Sequence, residues 1–469
     1  MGKLVGLVLV ACMGVIVYVL QKHLLFQSSG NFNPADIAGP PNYFGPGSPR
    51  KDDTVVTAYK VTVSNDTLVD LRNRLSHTRW TYDALENEPN FSYGFHINFL
   101  REVAKYWQHQ FDWHKQEAKL NEVPHFRTEI AGMKVHFVHT KPPAGRYEQV
   151  YPLLLVHGWP GSIYEFYKIF PLLTDPRSHF KRTDIGFAFE VVAPSIPGYG
   201  FSDPPHKSGF GSIQAAKVFA QLMHRLGFNK YFQQGGDWGS LITSNVAQMY
   251  PERTMGLHLN MATAGGLDPA VFLKRMVGIF APSLVMEPQD VPKVYPITSQ
   301  LKLLLQETGY MHIQATKPDT VGFSLNDSPV GLAAYILEKF STWTNPAYIS
   351  LSDGGLRRHW SLDELLTNVM IYWTTGSIAT SQRFYKETLM QDNMWDFDSA
   401  PITVPTGVAV CPHELVRFPR SFLANKYTNI TQYTDMRRCG HFAAFEEPKL
   451  LADDIFSFVA QIVAPPSTE

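Results

Sequence analysis

The run Gly235-Gly236-Asp237-Trp238-Gly239 carries the most distinctive chemistry in this chain. It has the form of the nucleophile elbow G-x-S-x-G, with Asp where a serine usually stands. The change of residue changes the reaction. A serine hydroxyl needs a base before it can attack, whereas a carboxylate is already charged and can strike an sp³ carbon bearing a leaving group. The product is an alkyl ester on the protein, and its release requires water, a general base and donors for an oxyanion. The glycines permit a sharp strand-to-helix bend, and the N-terminus of the next helix favours an anion at its tip. A plainer reading makes the same Asp a helix cap and nothing more.

The base, the acid that orients it and the oxyanion donors must come from elsewhere. His441, in Arg438-Cys439-Gly440-His441-Phe442, follows the last strand-like stretch and precedes the last helix, which suits the chain order nucleophile, acid, base. Glu414, in Cys411-Pro412-His413-Glu414-Leu415, is the expected orienting acid, with Asp435 as a rival. His157-Gly158-Trp159-Pro160-Gly161 follows an apolar strand, where an oxyanion loop belongs. The backbone N–H groups of Trp159 and Trp238 would form the hole, and Trp159-Pro160 is a candidate cis bond. Taken alone, that run is a tight turn.

These residues need a sheet to hold them. Val150 to Val156 is mostly apolar, as a strand covered on both faces would be, and Phe187 to Ala193 and Tyr231 to Gly235 read likewise. Between the last two, Ser212 is expected to cap a helix with Ile213, Ala216, Phe219, Ala220, Met223 and Leu226 at helical spacing and Gly227 as its stop. Strand, helix, strand in this order makes a parallel sheet. Met255 to Leu259 continues it, and strand character returns at Ile402 to Cys411 and Thr428 to Tyr433, before a final helix from Pro448 to Ile462. Helical segments such as Gly331 to Phe340 and Leu362 to Tyr372 dominate between them. The expected fold class is α/β, with a mostly parallel sheet in two core parts, residues 146–261 and 396–469, around a helical lid at 262–395.

Residues 26–145 are expected to form a linker and wrapping segment, Pro/Gly-rich from Asn31 to Arg50 and helical within Ser64 to Glu122. Residues 1–25 contain the uncharged run Leu4 to Gln21, close to the ~20 residues that cross a bilayer as a helix. Lys22 and His23 follow it in place of a small-residue cleavage site. The expectation is a single-pass transmembrane helix in the endoplasmic reticulum membrane, with the body on the cytosolic side.

Among 469 residues, 41 basic side chains nearly cancel 42 acidic ones, which excludes a nucleic-acid partner and favours a neutral one. Cysteine is scarce: Cys12 lies in the apolar run, and Cys411 and Cys439 are expected to be separate thiols in a reducing compartment such as the cytosol. No zinc spacing or dinucleotide motif is present, so neither metal nor organic cofactor is expected.

Together, His157-Gly158-Trp159-Pro160, Gly236-Asp237-Trp238-Gly239 and Gly440-His441-Phe442 resemble the epoxide hydrolases of the α/β-hydrolase superfamily. Gly309-Tyr310-Met311-His312-Ile313-Gln314, Lys317-Pro318-Asp319-Thr320-Val321-Gly322 and Ser328-Pro329-Val330-Gly331-Leu332-Ala333 are similar to the microsomal members, a group that includes the juvenile-hormone epoxide hydrolases of insects. The resemblance implies an α/β-hydrolase fold, a lipophilic epoxide and water as reactants, and no cofactor. It also implies that Tyr310 and Tyr385 (in Arg383-Phe384-Tyr385-Lys386-Glu387) donate hydrogen bonds to the epoxide oxygen, and that the acid is a Glu in the segment of Glu414. Phenol donors suit the chemistry, because an alkoxide leaves poorly unless protonated. Two other functions compete. A haloalkane dehalogenase also uses Asp followed by Trp but needs no proton donor, and a binding protein would use the fold without turnover.

Overall fold

The computed structural model describes residues 32–464, except 81, 183 and 265–267. Nine strands form one sheet in the order β1-β2-β3-β5-β4-β6-β7-β8-β9. They are β1 (Thr57–Tyr59), β2 (His125–Ile130), β3 (Met133–Thr140), β4 (Gln149–Val156), β5 (Phe187–Pro194), β6 (Tyr231–Gly235), β7 (Thr254–Leu259), β8 (Thr406–Val410) and β9 (Ile430–Asp435). From β5 to β9 every pairing is parallel, while β1, β2 and β3 make an antiparallel edge. Leu153 to Val156 of β4 are at most 1% exposed, as expected of a strand covered by helices on both faces.

In chain order the principal helices are α1 (Asn65–Ser76), α2 (Ile97–His109), α3 (Trp113–Leu120), α4 (Ser212–Arg225), α5 (Trp238–Met249), α6 (Pro269–Phe280), α7 (Ile297–Glu307), α8 (Gly309–Thr316), α9 (Pro318–Asp327), α10 (Pro329–Thr342), α11 (Leu362–Thr375), α12 (Ile378–Leu389) and α13 (Pro448–Val463). Between β7 and β8 the described residues are helical or irregular, with no strand. This insertion covers the end of the sheet where β4 and β6 terminate. The N-terminal part grips both layers. The Asp52 carboxylate accepts from the Ala131 and Gly132 amides at the β2–β3 turn, 2.8 Å each, and the Tyr106 hydroxyl of α2 donates to Asp363 of α11 at 2.8 Å.

Four expectations are corrected. Residues 125–140 lie within the stretch expected to be linker and wrapping segment, yet they form two strands of the main sheet. Ser212 is the first residue of α4, not its cap. Gly211 holds the cap position, and the Ser212 hydroxyl accepts from Asn245 of α5 at 3.0 Å. The strand expected over Ile402 to Cys411 is confined to Thr406–Val410, with Ile402 making an isolated bridge to Tyr427. Cys411 and Cys439 are joined in a disulfide, which overturns the expectation of separate thiols. Position explains that pairing: β8 and β9 are parallel neighbours, and the chain leaves both at the same end. No helix among the described residues is long and apolar enough to cross a membrane, and the expected anchor at 1–25 lies outside them.

Candidate active site

Asp237 stands at the junction of β6 and α5 with φ 50° and ψ −128°, outside the comfortable regions for a residue with a Cβ. That backbone throws its side chain off the end of the sheet. The bend closes only because of its glycines: a Cβ on Gly239 would run into the Val156 carbonyl, and one on Gly158 would overlap the Asp237 carboxylate. The carboxylate does not cap α5. Its Oδ1 accepts the Trp159 N–H at 2.7 Å, and its Oδ2 lies 3.5 Å from His441 Nε2. Trp238, the first residue of α5, brings the next backbone amide along the chain to the same turn. The Trp159-Pro160 bond is cis, as its sequence suggested.

His441 sits on the loop between β9 and α13. Its Nδ1 is 2.7 Å from Glu414 Oε1, and both residues are at most 5% exposed. Glu414 Oε1 also accepts the Leu415 amide at 2.8 Å. Burial alone would lower the affinity of His441 for a proton. The Glu414 and Asp237 carboxylates overcome that and hold its pKa well above the ordinary value. Asp435, the rival acid, is instead paired with Lys293. The Cys411–Cys439 bond links the loop that carries Glu414 to the loop that carries His441, and the His413 amide donates to the Cys439 carbonyl at 3.2 Å.

Two carboxyl groups at this site escaped the sequence reading. Glu446 accepts from the Gly440 amide at 2.6 Å and the Phe442 amide at 2.8 Å, so it fixes the backbone on either side of His441. Glu165 borders a cavity of about 20 Å³ together with Gly158, Asp237 and His441. That volume suits a single water molecule. Burial raises both carboxyls to about 8, against the pull of His441. The signal for Glu165 was masked, because Ser162-x-x-Glu165 has the spacing of a helix-capping box, and Ser162 does cap the short helix Ile163–Phe166. His157 is buried and pushed down to about 4 by that burial; its Nε2 accepts the Ile196 amide at 3.2 Å, so it serves as a neutral brace.

The lid brings Tyr310 (α8) and Tyr385 (α12) over the nucleophile. The Trp159 indole stacks on Tyr310 with centroids 5.0 Å apart and meets Tyr385 edge-on at 5.9 Å. Trp238 packs edge-on against Tyr385 at 4.5 Å, and Trp343 lies 4.9 Å from the His441 ring. Burial, with the Asp237 carboxylate nearby, keeps both tyrosines protonated far above neutrality. The Tyr385 hydroxyl is buried and interacts with the Tyr310 hydroxyl, so the two phenols lie side by side. The five side chains expected to share a site are thus assembled around an aromatic box. Among the described residues no group of His, Cys, Asp and Glu could hold a metal ion.

The chain as a whole is similar to known proteins. The family description "Epoxide hydrolase N terminus" matches residues 56–166, and "alpha/beta hydrolase fold" matches residues 151–389. Epoxide hydrolase 1 of Sus scrofa is 50% identical over 426 residues, covering 89% of this chain and 92% of its own. Juvenile hormone epoxide hydrolase 2 of Ctenocephalides felis is 46% identical over 422 residues, covering 90% and 89%. The crystal structure of juvenile hormone epoxide hydrolase from the silkworm Bombyx mori superposes with a TM-score of 0.86 at 42% identity, covering 90% of this chain and 98% of that one.

Proposed function

Since this chain belongs to the microsomal-type epoxide hydrolases of the α/β-hydrolase fold, we propose that it converts lipophilic epoxides to vicinal diols through a covalent ester on Asp237. The observation that carries this reading is the unequal treatment of the two carboxylate oxygens. Oδ1 is held by the Trp159 amide, and Oδ2 is left toward His441 and the lid. Oδ2 attacks an epoxide carbon. The C–O bond of the ring breaks, its electron pair goes to the ring oxygen, and that oxygen takes a proton from Tyr310 or Tyr385. Oδ1 becomes the ester carbonyl, already seated on an oxyanion donor.

The first step prepares the second. Ester formation removes the Asp237 charge, one of the two that hold the proton on His441. The imidazole gives up that proton, which restores the phenol, and then deprotonates a water that adds to Asp237 Cγ. Glu414 holds the ring and stabilises the imidazolium that forms. The small cavity beside Glu165 is the station for this water. The tetrahedral intermediate collapses by breaking the bond between Cγ and Oδ2, the His441 imidazolium protonates the leaving Oδ2, and the diol departs with that oxygen. A dehalogenase would have no use for two buried phenols above its nucleophile. The aromatic box fits an apolar substrate, from aryl epoxides to a terpenoid such as juvenile hormone.

Residues 4–21 are proposed to anchor the enzyme in the endoplasmic reticulum membrane. The positive-inside rule sets the body on the cytosolic face, whereas the Cys411–Cys439 bond favours an oxidising lumen, and a protease-protection assay on sealed microsomes separates the two. The mechanism is tested with ¹⁸O-labelled water. In a first turnover the label should enter the Asp237 carboxylate and not the diol; label appearing directly in the diol overturns the ester.

A further inference from the structure

Large apolar side chains are crowded onto one part of the lid without a partner. On α6, Leu273 is 60% exposed and Phe280 85%. Leu284 in the following turn is 76% exposed, and Leu301 and Leu305 of α7 are 54% and 82%. The two helices flank one groove. The Tyr295 hydroxyl donates to the Arg275 carbonyl of α6 at 2.6 Å, and Arg275, Leu301 and Leu304 line the same cavity of about 90 Å³. Scattered exposed leucines are ordinary, but large apolar side chains gathered on two helices that flank one groove mark a surface that is normally covered.

The charges around the patch are few and nearly balanced. α6 carries Lys274 and Arg275 and no acid; α7 carries exposed Lys302, and its one acid, Glu307, is buried against Thr342 and Trp343. Exposed Glu287 lies in the connection between them. Lys274 and Arg275 are only partly exposed, so Lys302 and Glu287 are the exposed charges beside the patch, and an apolar face with so little net charge can settle into the interface of a lipid bilayer. Chain geometry agrees. Phe32 packs edge-on to Phe397 at 5.4 Å; the next residue, Asp398, pairs with Lys426 at 3.0 Å; and Asn425 accepts from Lys274 of α6 at 2.6 Å. The chain therefore joins the body on the flank that carries α6. Only residues 22–31 separate Phe32 from the uncharged run, a reach of at most about 35 Å.

We propose that the α6–α7 face of the lid docks on the bilayer surface, so that substrate dissolved in the membrane enters through the lid. The proposal rests on the anchor reading for residues 4–21. It also gives α8 a purpose on both sides: Tyr310 faces the nucleophile, while Met311 and Ile313 of the same helix are exposed. A helix is about 10 Å across, so the membrane surface would lie roughly that far from the phenol.

The test uses the full chain in phosphatidylcholine vesicles containing a minority of phosphatidylserine, with Cys12→Ser to leave one reactive thiol. A fluorophore on Leu284→Cys or Leu305→Cys should be quenched by spin-labelled lipid. One on Gln149→Cys, at the opposite end of β4 from the oxyanion loop, should not be. Protein that floats with vesicles but shows equal quenching at all three positions overturns docking and leaves the anchor standing; protein that does not float overturns both. Quenching that depends on protein density instead of lipid label would give the patch to a second copy and overturn docking. In parallel, Leu284→Glu with Leu305→Glu should raise KM for a vesicle-dissolved epoxide about tenfold while leaving KM for a water-soluble epoxide unchanged. An equal rise for both substrates also overturns it.

Discussion

Replacing Glu414 by Gln keeps the volume of the side chain and removes one buried charge, so its effect can be worked from the site. Glu414 Oε1 lies 2.7 Å from His441 Nδ1. With charge centres about 4 Å apart, the attraction between carboxylate and imidazolium is about 4 kcal/mol at an effective dielectric of 20. At 1.36 kcal/mol per factor of ten, that is about a thousandfold in the stability of the imidazolium formed as water is activated. An amide in this place also permits the wrong imidazole tautomer, which in serine proteases contributes to a loss of about 10⁴. Ester hydrolysis should therefore slow by about 10³ to 10⁴. Ring opening uses Asp237, Tyr310 and Tyr385, none of which touches Glu414, so its single-turnover rate should stay within about threefold. Rapid-quench kinetics with intact-protein mass spectrometry reads both steps, and the variant should accumulate protein heavier by one substrate. His441→Gln should do the same more completely. If ring opening and hydrolysis fall together, or no adduct gathers while turnover drops, the division of labour argued here is wrong.

Tyr310→Phe with Tyr385→Phe should suppress ring opening by about 10² to 10⁴ while sparing hydrolysis of an ester already formed; ordinary epoxide turnover in the double variant would remove their role. Stability should depend on pH with a defined sign. Glu165 and Glu446 are raised from 4.5 to about 8 in the folded protein, so the fold keeps protons that the unfolded chain releases, and this stability is lost as pH rises from about 4.5 through about 8. His441, also raised, adds the same trend above about 6.5. Tm should thus fall between pH 5 and pH 9, and Glu165→Gln should flatten the slope; a rising Tm would contradict the placement of these carboxyls.

The parts of this fold that were legible in the sequence are those whose environment leaves one signature. Leu153 to Val156 could only be a strand covered on both sides, and the glycines around Asp237 could only serve a bend that tight. The β2–β3 hairpin hid behind polar letters. His125 and His136 are buried and face each other with ring nitrogens 2.8 Å apart, so a covered strand reads as a hydrophilic one. The disulfide was hidden because 28 residues of separation say nothing of the adjacency of β8 and β9. Tyr310 and Tyr385 were singled out by family resemblance alone, since a bare tyrosine looks like any core aromatic. What brings them together is the indole of Trp159, which no spacing rule reveals.

Trp159 serves two masters. Its amide steadies the charged oxygen of the nucleophile, while its ring lies flat against a tyrosine of the lid. Lifting the lid to admit a bulky molecule therefore tugs on the residue that supports the charge, and the carboxylate is fully braced, through Oδ1, only once the cover is shut. Anyone reshaping α8 to widen the range of accepted epoxides will be retuning the reactivity of Asp237 as well, even without altering a single residue that the substrate touches.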